Sequence, residues 1–139
     1  MRVIIATDGT AASAAIFPQI GRTFRLPADL TELVVLTIHD STCVPDARQL
    51  VGLFADTSGE ATVAFLEGAR SALGVFGDQA RFIALAGTPG PEIVRFIRDT
   101  GCDLLLVGRG KDHAHDRALL GSVSSHVVAH APCTVVVIR

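Results

Sequence analysis

Five short runs along the chain are apolar on consecutive positions: Val3–Thr7, Leu33–Ile38, Arg81–Ala86, Leu104–Val107 and Thr134–Ile138. A half-buried strand alternates apolar and polar residues, because successive side chains point to opposite faces. A strand covered on both faces is apolar throughout. The pattern therefore predicts strands of a parallel sheet sandwiched between helices, not the meander of an antiparallel one.

Between these runs the periodicity changes to that of helices. Ala12, Ile16, Ile20 and Phe24 recur every fourth position and form one stripe, which Pro18 is expected to kink or divide. Thr57 and Glu60 have the spacing of a capping box; Val63, Leu66, Ala69 and Leu73 follow, with Gly74 as the stop. Thr88-Pro89 reads as an N-cap with proline in the first turn, and Gly101 closes that helix after Ile93, Val94 and Ile97. Ser122 or Ser124 opens a last helix running to about Ala129, ended by Pro132. The segment Asp40–Asp56, with Pro45, is the one long candidate loop.

Alternating strands and helices joined by right-handed crossovers leave few topologies. The expectation is an α/β fold: an open, doubly wound, five-stranded parallel sheet of order 3-2-1-4-5 with helices on both faces, one domain over residues 1–139. Such a sheet has a switch point between strands 1 and 4, where the connections depart in opposite directions and a crevice opens at the C-terminal strand ends. Asp8 and Gly108 stand at those two ends, although a hundred residues separate them.

Composition narrows the function. Of 139 residues, 49% are hydrophobic, yet no apolar run approaches the roughly 20 residues of a membrane span. The apolar run after Met1-Arg2 is short for a secretory signal and no cleavage-like site follows it, so a cytoplasmic location is expected. A formal charge of −2 gives no basic footprint for nucleic acid, and there is no Trp or Tyr to stack on bases. Cys43, Cys102 and Cys133 are odd in number and far apart, which argues against a disulfide framework or a clustered zinc site. Cys102 and Cys133 each precede an apolar strand and read as small hydrophobes.

Chemistry concentrates in the last third of the chain. Leu104–Gly108 leads into Arg109-Gly110-Lys111, and Gly121-Ser122-Val123-Ser124 opens the last helix. Backbone N–H groups of a glycine-bearing loop and of a helix's first turn lack intrahelical partners and form a natural phosphate site. A loop needing glycine only for its turn, with serines capping their own helix, is the plainer alternative. Asp8, followed by Gly9-Thr10, is placed either to accept from a nucleoside hydroxyl or to form an Asp-Gly turn. A P-loop is excluded: Asp112, not Ser or Thr, follows Gly110-Lys111. His113 and His115 meet metal-ligand spacing only loosely, and a solvated loop is the better reading. His126 and His130 read as helix surface, and His39 borders the crevice. No motif assigns a nucleophile, a carboxylate pair or a general base, so catalysis has no named residue.

These segments resemble the C-terminal signature of the universal stress protein family, whose nucleotide-binding branch carries Gly, two residues, Gly, nine residues, then Gly-Ser or Gly-Thr. Gly108 and Gly121-Ser122 match; the second glycine position is Lys111, with Gly110 one residue early. Ala6-Thr7-Asp8-Gly9-Thr10, Gly87-Thr88-Pro89 and Ala131-Pro132-Cys133 also match family landmarks, so the resemblance spans nearly the whole chain. It implies a stress-response binding or regulatory protein holding ATP or a related adenine nucleotide, with Mg. Asp8, Gly9 and Thr10 would serve the nucleoside side and Thr37-Ile38 would meet the base through backbone groups. Gly108, Arg109, Gly110, Lys111, Gly121, Ser122, Val123 and Ser124 would surround the phosphates. Lys111 supports two readings. If that position needs positive φ, lysine costs about 1–2 kcal/mol or the loop rearranges; alternatively Arg109 and Lys111 hold phosphate directly and Gly110 makes the turn. The competing function is a homodimeric interaction module of the same family with no nucleotide. In either case Thr134–Ile138, as an edge strand without charge, proline or bulge, is expected to pair with its copy in a homodimer.

Overall fold

The computed structural model describes residues 1–8, 15–23, 29–39, 60–109 and 120–138. In chain order the elements are β1 (Arg2–Thr7), α1 (Ile16–Thr23), β2 (Glu32–His39), α2 (Glu60–Leu73) with a 3₁₀ turn at Gly74–Phe76, β3 (Arg81–Ala86), α3 (Pro89–Thr100), β4 (Leu104–Gly108), α4 (Ser122–His130) and β5 (Thr134–Ile138). The five strands form one parallel sheet of order β3-β2-β1-β4-β5, as expected.

The unbroken apolar runs are explained by the two cores they feed. Odd residues of β1 (Val3, Ile5) join Leu33, Val35, Leu104 and Leu106 beneath α1 and α2, which contribute Ile16, Phe17, Ile20, Phe65, Ala69 and Leu73. Even residues (Ile4, Ala6) join Val34, Leu36, Ile38, Leu105 and Val107 beneath α3 and α4, with Ile93, Val94, Ile97 and Val127. Phe17 and Phe65 meet edge to face across α1 and α2, ring centroids 5.7 Å apart. Both faces of each central strand are thereby withdrawn from water, each buried Leu, Ile or Val contributing about 1.5–3 kcal/mol of transfer free energy.

Helix boundaries follow local chemistry, with one departure from expectation. α1 begins at Ile16, which makes Pro18 its third residue, in the first turn, where its missing N–H has no carbonyl to serve. Ala12, Phe24 and Thr57 lie outside the described residues. Thr88 is the N-cap of α3, with Pro89 in the first turn, yet its hydroxyl makes no capping bond. An N-cap side chain normally accepts from the N2 or N3 amide, and here N3 is Pro91, which has none. Gly101 ends α3 at φ 80°, a conformation disfavoured for side-chain-bearing residues, and its N–H donates to Ile97 O at 2.9 Å. Gly90 lets α3 lie close on α4: a Cβ there would stand 2.9 Å from the His126 ring.

α1 and α2 cover one face and α3 and α4 the other, so the chain leaves β1 and β4 toward opposite sides of the sheet. That arrangement makes the gap between β1 and β4 the switch point. Among the described residues no helix is long and apolar enough to cross a membrane.

Candidate functional site

The β1–β4 register runs from Val3↔Leu104 to Ala6↔Val107. One residue further on, β1 ends at Thr7 and β4 at Gly108, so Asp8 and Arg109 follow the two strands at the same end of the sheet. On the other side of β1, Thr7 pairs with Thr37, which brings Ile38 and His39 to the same rim. Hydrogen bonding along parallel strands is thus what unites residues from three distant parts of the chain. Asp8 is exposed at the rim, whereas Thr7, Thr37 and Ile38 are buried. The Ile38 side chain belongs to the core under α3 and α4, so only its backbone is available to a ligand. The Thr37 hydroxyl donates to Ile83 O at 3.3 Å and ties β2 to β3 below the rim.

The second wall is the start of α4, and it is fastened to the end of β4 through the Arg109 carbonyl. That oxygen accepts the Gly121 N–H at 2.9 Å and lies 3.3 Å from the Ser124 hydroxyl. Ser124, only 1% exposed, also reaches Gly121 O at 3.0 Å. Gly121 O in turn accepts the Ser125 N–H at 2.9 Å, and Arg109 N donates to Ile138 O at 3.1 Å. Strand β4, strand β5 and the first turn of α4 are therefore one hydrogen-bonded unit. Gly121 is the N-cap and makes no side-chain cap, so Ser122, Val123 and Ser124 supply the first-turn amides, which have no partner within the helix. Ser122 is exposed and Val123 half-buried. The amides carry the positive end of the helix dipole.

The structure thus brings Asp8, Ile38, Gly108, Arg109, Gly121, Ser122, Val123 and Ser124 to one rim or its supporting wall. Three of them are engaged in holding it: Arg109 through its main chain, Gly121 through its amide and Ser124 through its hydroxyl. The pattern Gly-Ser pointed to the right turn, but nothing in it signalled that Arg109's main chain is the anchor. Gly9, Thr10, Gly110 and Lys111 lie outside the described residues, as do His113, His115 and the segment 40–56. Gly108 is half-buried with ordinary φ. A Cβ on it would meet, among the described residues, only Ile16 Cδ1 at 3.7 Å, an ordinary contact.

Away from this rim, His126 and His130 stack on α4 with centroids 4.3 Å apart, and His126 O lies 2.8 Å from His130 Nδ1. At the opposite end of the sheet Glu32 bridges Arg2 and Arg81, its contact to Arg81 being 2.7 Å. The Arg2 hydrogen bond holds the Glu32 carboxyl below its usual value, reinforced by Arg81 and opposed by partial burial. Among the described residues no group of three or more His, Cys, Asp or Glu side chains is arranged to hold a metal.

A doubly wound α/β domain with a helix N-terminus and two strand ends around its switch point is the class this geometry defines. The sequence model of the universal stress protein family matches residues 1–139, and the chain belongs to that family. A universal stress protein from Methanothermobacter thermautotrophicus is 41% identical over 59 residues, covering 42% of this chain and 40% of that protein. The chain's match therefore spans less than half the length of that relative. Among solved structures, a universal stress protein in complex with cAMP superposes with a TM-score of 0.68 at 22% identity, over 100% of this chain and 97% of the other. A family member from Arabidopsis thaliana with AMP bound gives 0.64 at 19% identity, over 99% and 90%. At these identities the likeness is one of fold.

Proposed function

We propose that this chain binds an adenine nucleotide in the crevice between β1 and β4 and acts in the cytoplasm as a stress-response regulatory or binding protein, not as an enzyme. The observation that carries the reading is the convergence on one rim of the exposed Asp8 carboxylate, the half-buried Gly108 and the first-turn amides of α4. A carboxylate suits ribose hydroxyls, and first-turn amides suit phosphate. Gly108 supports the same reading: among the described residues the fold has room for a side chain there, so the absence of one suits a backbone that a ligand approaches closely. The family members described with cAMP and AMP support adenine as the base.

In this reading Asp8, with Gly9 and Thr10, serves the nucleoside, and the Ile38 backbone meets the base. Gly108, Arg109, Gly110 and Lys111 pass along the phosphates, and Ser122 and Val123 donate from α4. Ser124 contributes its amide, while its hydroxyl positions the loop. ATP with Mg is the proposed ligand; the Arg109 and Lys111 side chains bring the cations a polyphosphate needs. No group is assigned as a general base, so turnover is not part of the proposal.

The test is thermal unfolding of the full chain with and without ATP and Mg²⁺. Ligand at 100 times its Kd adds about 2.7 kcal/mol to stability, a rise in Tm of roughly 5–10 °C for a domain of this size. Asp8→Ala and Ser122→Ala should each reduce the rise, and Ser122→Ala, at an exposed site, should leave the unliganded Tm in place. No rise at millimolar nucleotide would leave the second reading, an interaction module that dimerises through β5. Two observations favour that reading: the Gly121 amide is already committed to Arg109 O, and β5 is an edge strand.

A further inference from the structure

Cys102 and Cys133 stand far apart in sequence and side by side in the fold. Leu104 pairs with Thr134, and the Thr134 N–H donates to Asp103 O at 3.3 Å. The rank below therefore sets Asp103 beside Cys133, with Cys102 one residue further down. Both thiols are free, half-buried, and packed against the same core, the one beneath α3 and α4. The Cys102 sulfhydryl lies 3.9 Å from Arg2 O and within hydrogen-bonding reach of the Cys133 sulfur. Cys102 and Cys133 lie just before β4 and β5, whose lateral spacing of about 4.8 Å is compatible with the roughly 4.4–6.8 Å Cα window of a disulfide. Exposed Gly101, Asp103 and Pro132 flank the pair, so a small reagent can approach it.

We infer that Cys102 and Cys133 form a reversible intramolecular disulfide with small-molecule disulfides, making this end of the sheet a redox-modification site. The exchange proceeds in two balanced steps. The Cys133 thiolate attacks one sulfur of oxidised glutathione; a protein–glutathione disulfide forms and one glutathione thiolate leaves. Cys102, after losing its proton, then attacks the Cys133 sulfur and expels the second glutathione. Two protein thiols are oxidised and one glutathione disulfide is reduced to two glutathione thiols. Cys133 is the first nucleophile because burial, the main cause at both sulfurs, pushes the Cys102 thiol up to about 12, whereas at Cys133 the neighbouring Cys102 offsets part of the rise.

The consequence is a staple across β4 and β5 at the end of the sheet opposite the nucleotide crevice. The closed loop of about thirty residues contains β4, α4 and the chain between them, and closing it restricts the unfolded chain. The inference does not depend on nucleotide binding.

The experiment treats the reduced, full-length protein with oxidised glutathione and reads intact mass, free thiols and peptide linkage. The expected product is about 2 Da lighter, keeps one of its three thiols, yields a Cys102–Cys133 linked peptide and melts roughly 5–10 °C higher. Cys43→Ser should leave the mass loss intact and Cys133→Ala should abolish it. The rate should climb with pH between 7 and 9, because burial holds both thiols above their ordinary value and the thiolate is the attacking species. Stable glutathione adducts without loss of two hydrogens, or a linkage through Cys43, would overturn the inference whether or not a variant folds.

Discussion

Replacing Ser124 by alanine separates the two jobs that a serine at the start of α4 can perform. Its hydroxyl is buried and lies 3.0 Å from Gly121 O and 3.3 Å from Arg109 O. One hydroxyl proton serves both, so the loss is that of a single hydrogen bond. Neither carbonyl is orphaned, because each keeps a backbone donor at 2.9 Å: the Gly121 N–H on Arg109 and the Ser125 N–H on Gly121. The desolvation penalty of an unsatisfied group is therefore absent and only the net value of the bond remains, about 0.5–1.5 kcal/mol. Alanine's better helix propensity returns up to about 0.5 kcal/mol of that. Stability should fall by about 0.5–1 kcal/mol, a downward shift of roughly 0.5 M in the urea midpoint. Ser122→Ala, at an exposed site, should stay within about 0.5 kcal/mol of wild type yet weaken nucleotide binding about tenfold or more, since in the proposed reading its hydroxyl would meet a charged ligand. Urea titration followed by circular dichroism measures the first quantity and calorimetric titration the second. An unmoved midpoint for Ser124→Ala together with an affinity loss equal to that of Ser122→Ala would refute the reasoning and put the Ser124 hydroxyl on the ligand.

Glu32 gives a pH prediction. Its folded-state carboxyl is held below the usual glutamate value, first by the Arg2 hydrogen bond, so its contribution is present above that ordinary value and is lost as pH falls through the lowered folded one. Glu32→Gln should cost about 1 kcal/mol at pH 7, and wild type and variant should converge in urea melts as pH drops below the usual glutamate range; parallel profiles would contradict this. The proposed homodimer can be tested at the backbone of β5. Thr134 N and Ile138 O both bond toward β4, so the alternate residues Val135 and Val137 present their N–H groups to the side away from β4, where no strand pairs among the described residues. Val137→Pro removes one outward donor without touching the β4 ladder and should shift sedimentation from dimer to monomer; a wild type already monomeric at micromolar concentration would end the idea.

The strand pattern was highly legible because burial on both faces leaves no polar phase to confuse. Arg81–Ala86 and Thr134–Ile138 have the bounds their apolar runs suggested, and β1, β2 and β4 differ only in reaching to Arg2, to Glu32 and His39, and to Gly108. Those end residues are polar or small: the ladder of backbone hydrogen bonds continues past the point where side chains stop being apolar. Gly101 was readable as a stop because a positive φ selects for glycine locally. Ser124 was not readable as a fastener, since its partner is a main-chain carbonyl that any residue at 109 would supply. Thr88 matched a cap signal, yet its hydroxyl makes no capping bond, and Pro91 at N3 withholds one of the two amides such a hydroxyl can use. The Cys102–Cys133 contact was invisible because it depends on lateral register between β4 and β5, and spacing along the chain carries no information about that.

Calorimetric titration of the purified, full-length chain with ATP and Mg²⁺ tests the central claim most directly. One-to-one binding is expected, weakened by Asp8→Ala at the end of β1 and by Ser122→Ala at the start of α4, with GTP binding more weakly than ATP. No detectable binding of ATP or ADP at millimolar concentration would contradict the account and leave the crevice between β1 and β4 without a nucleotide to hold.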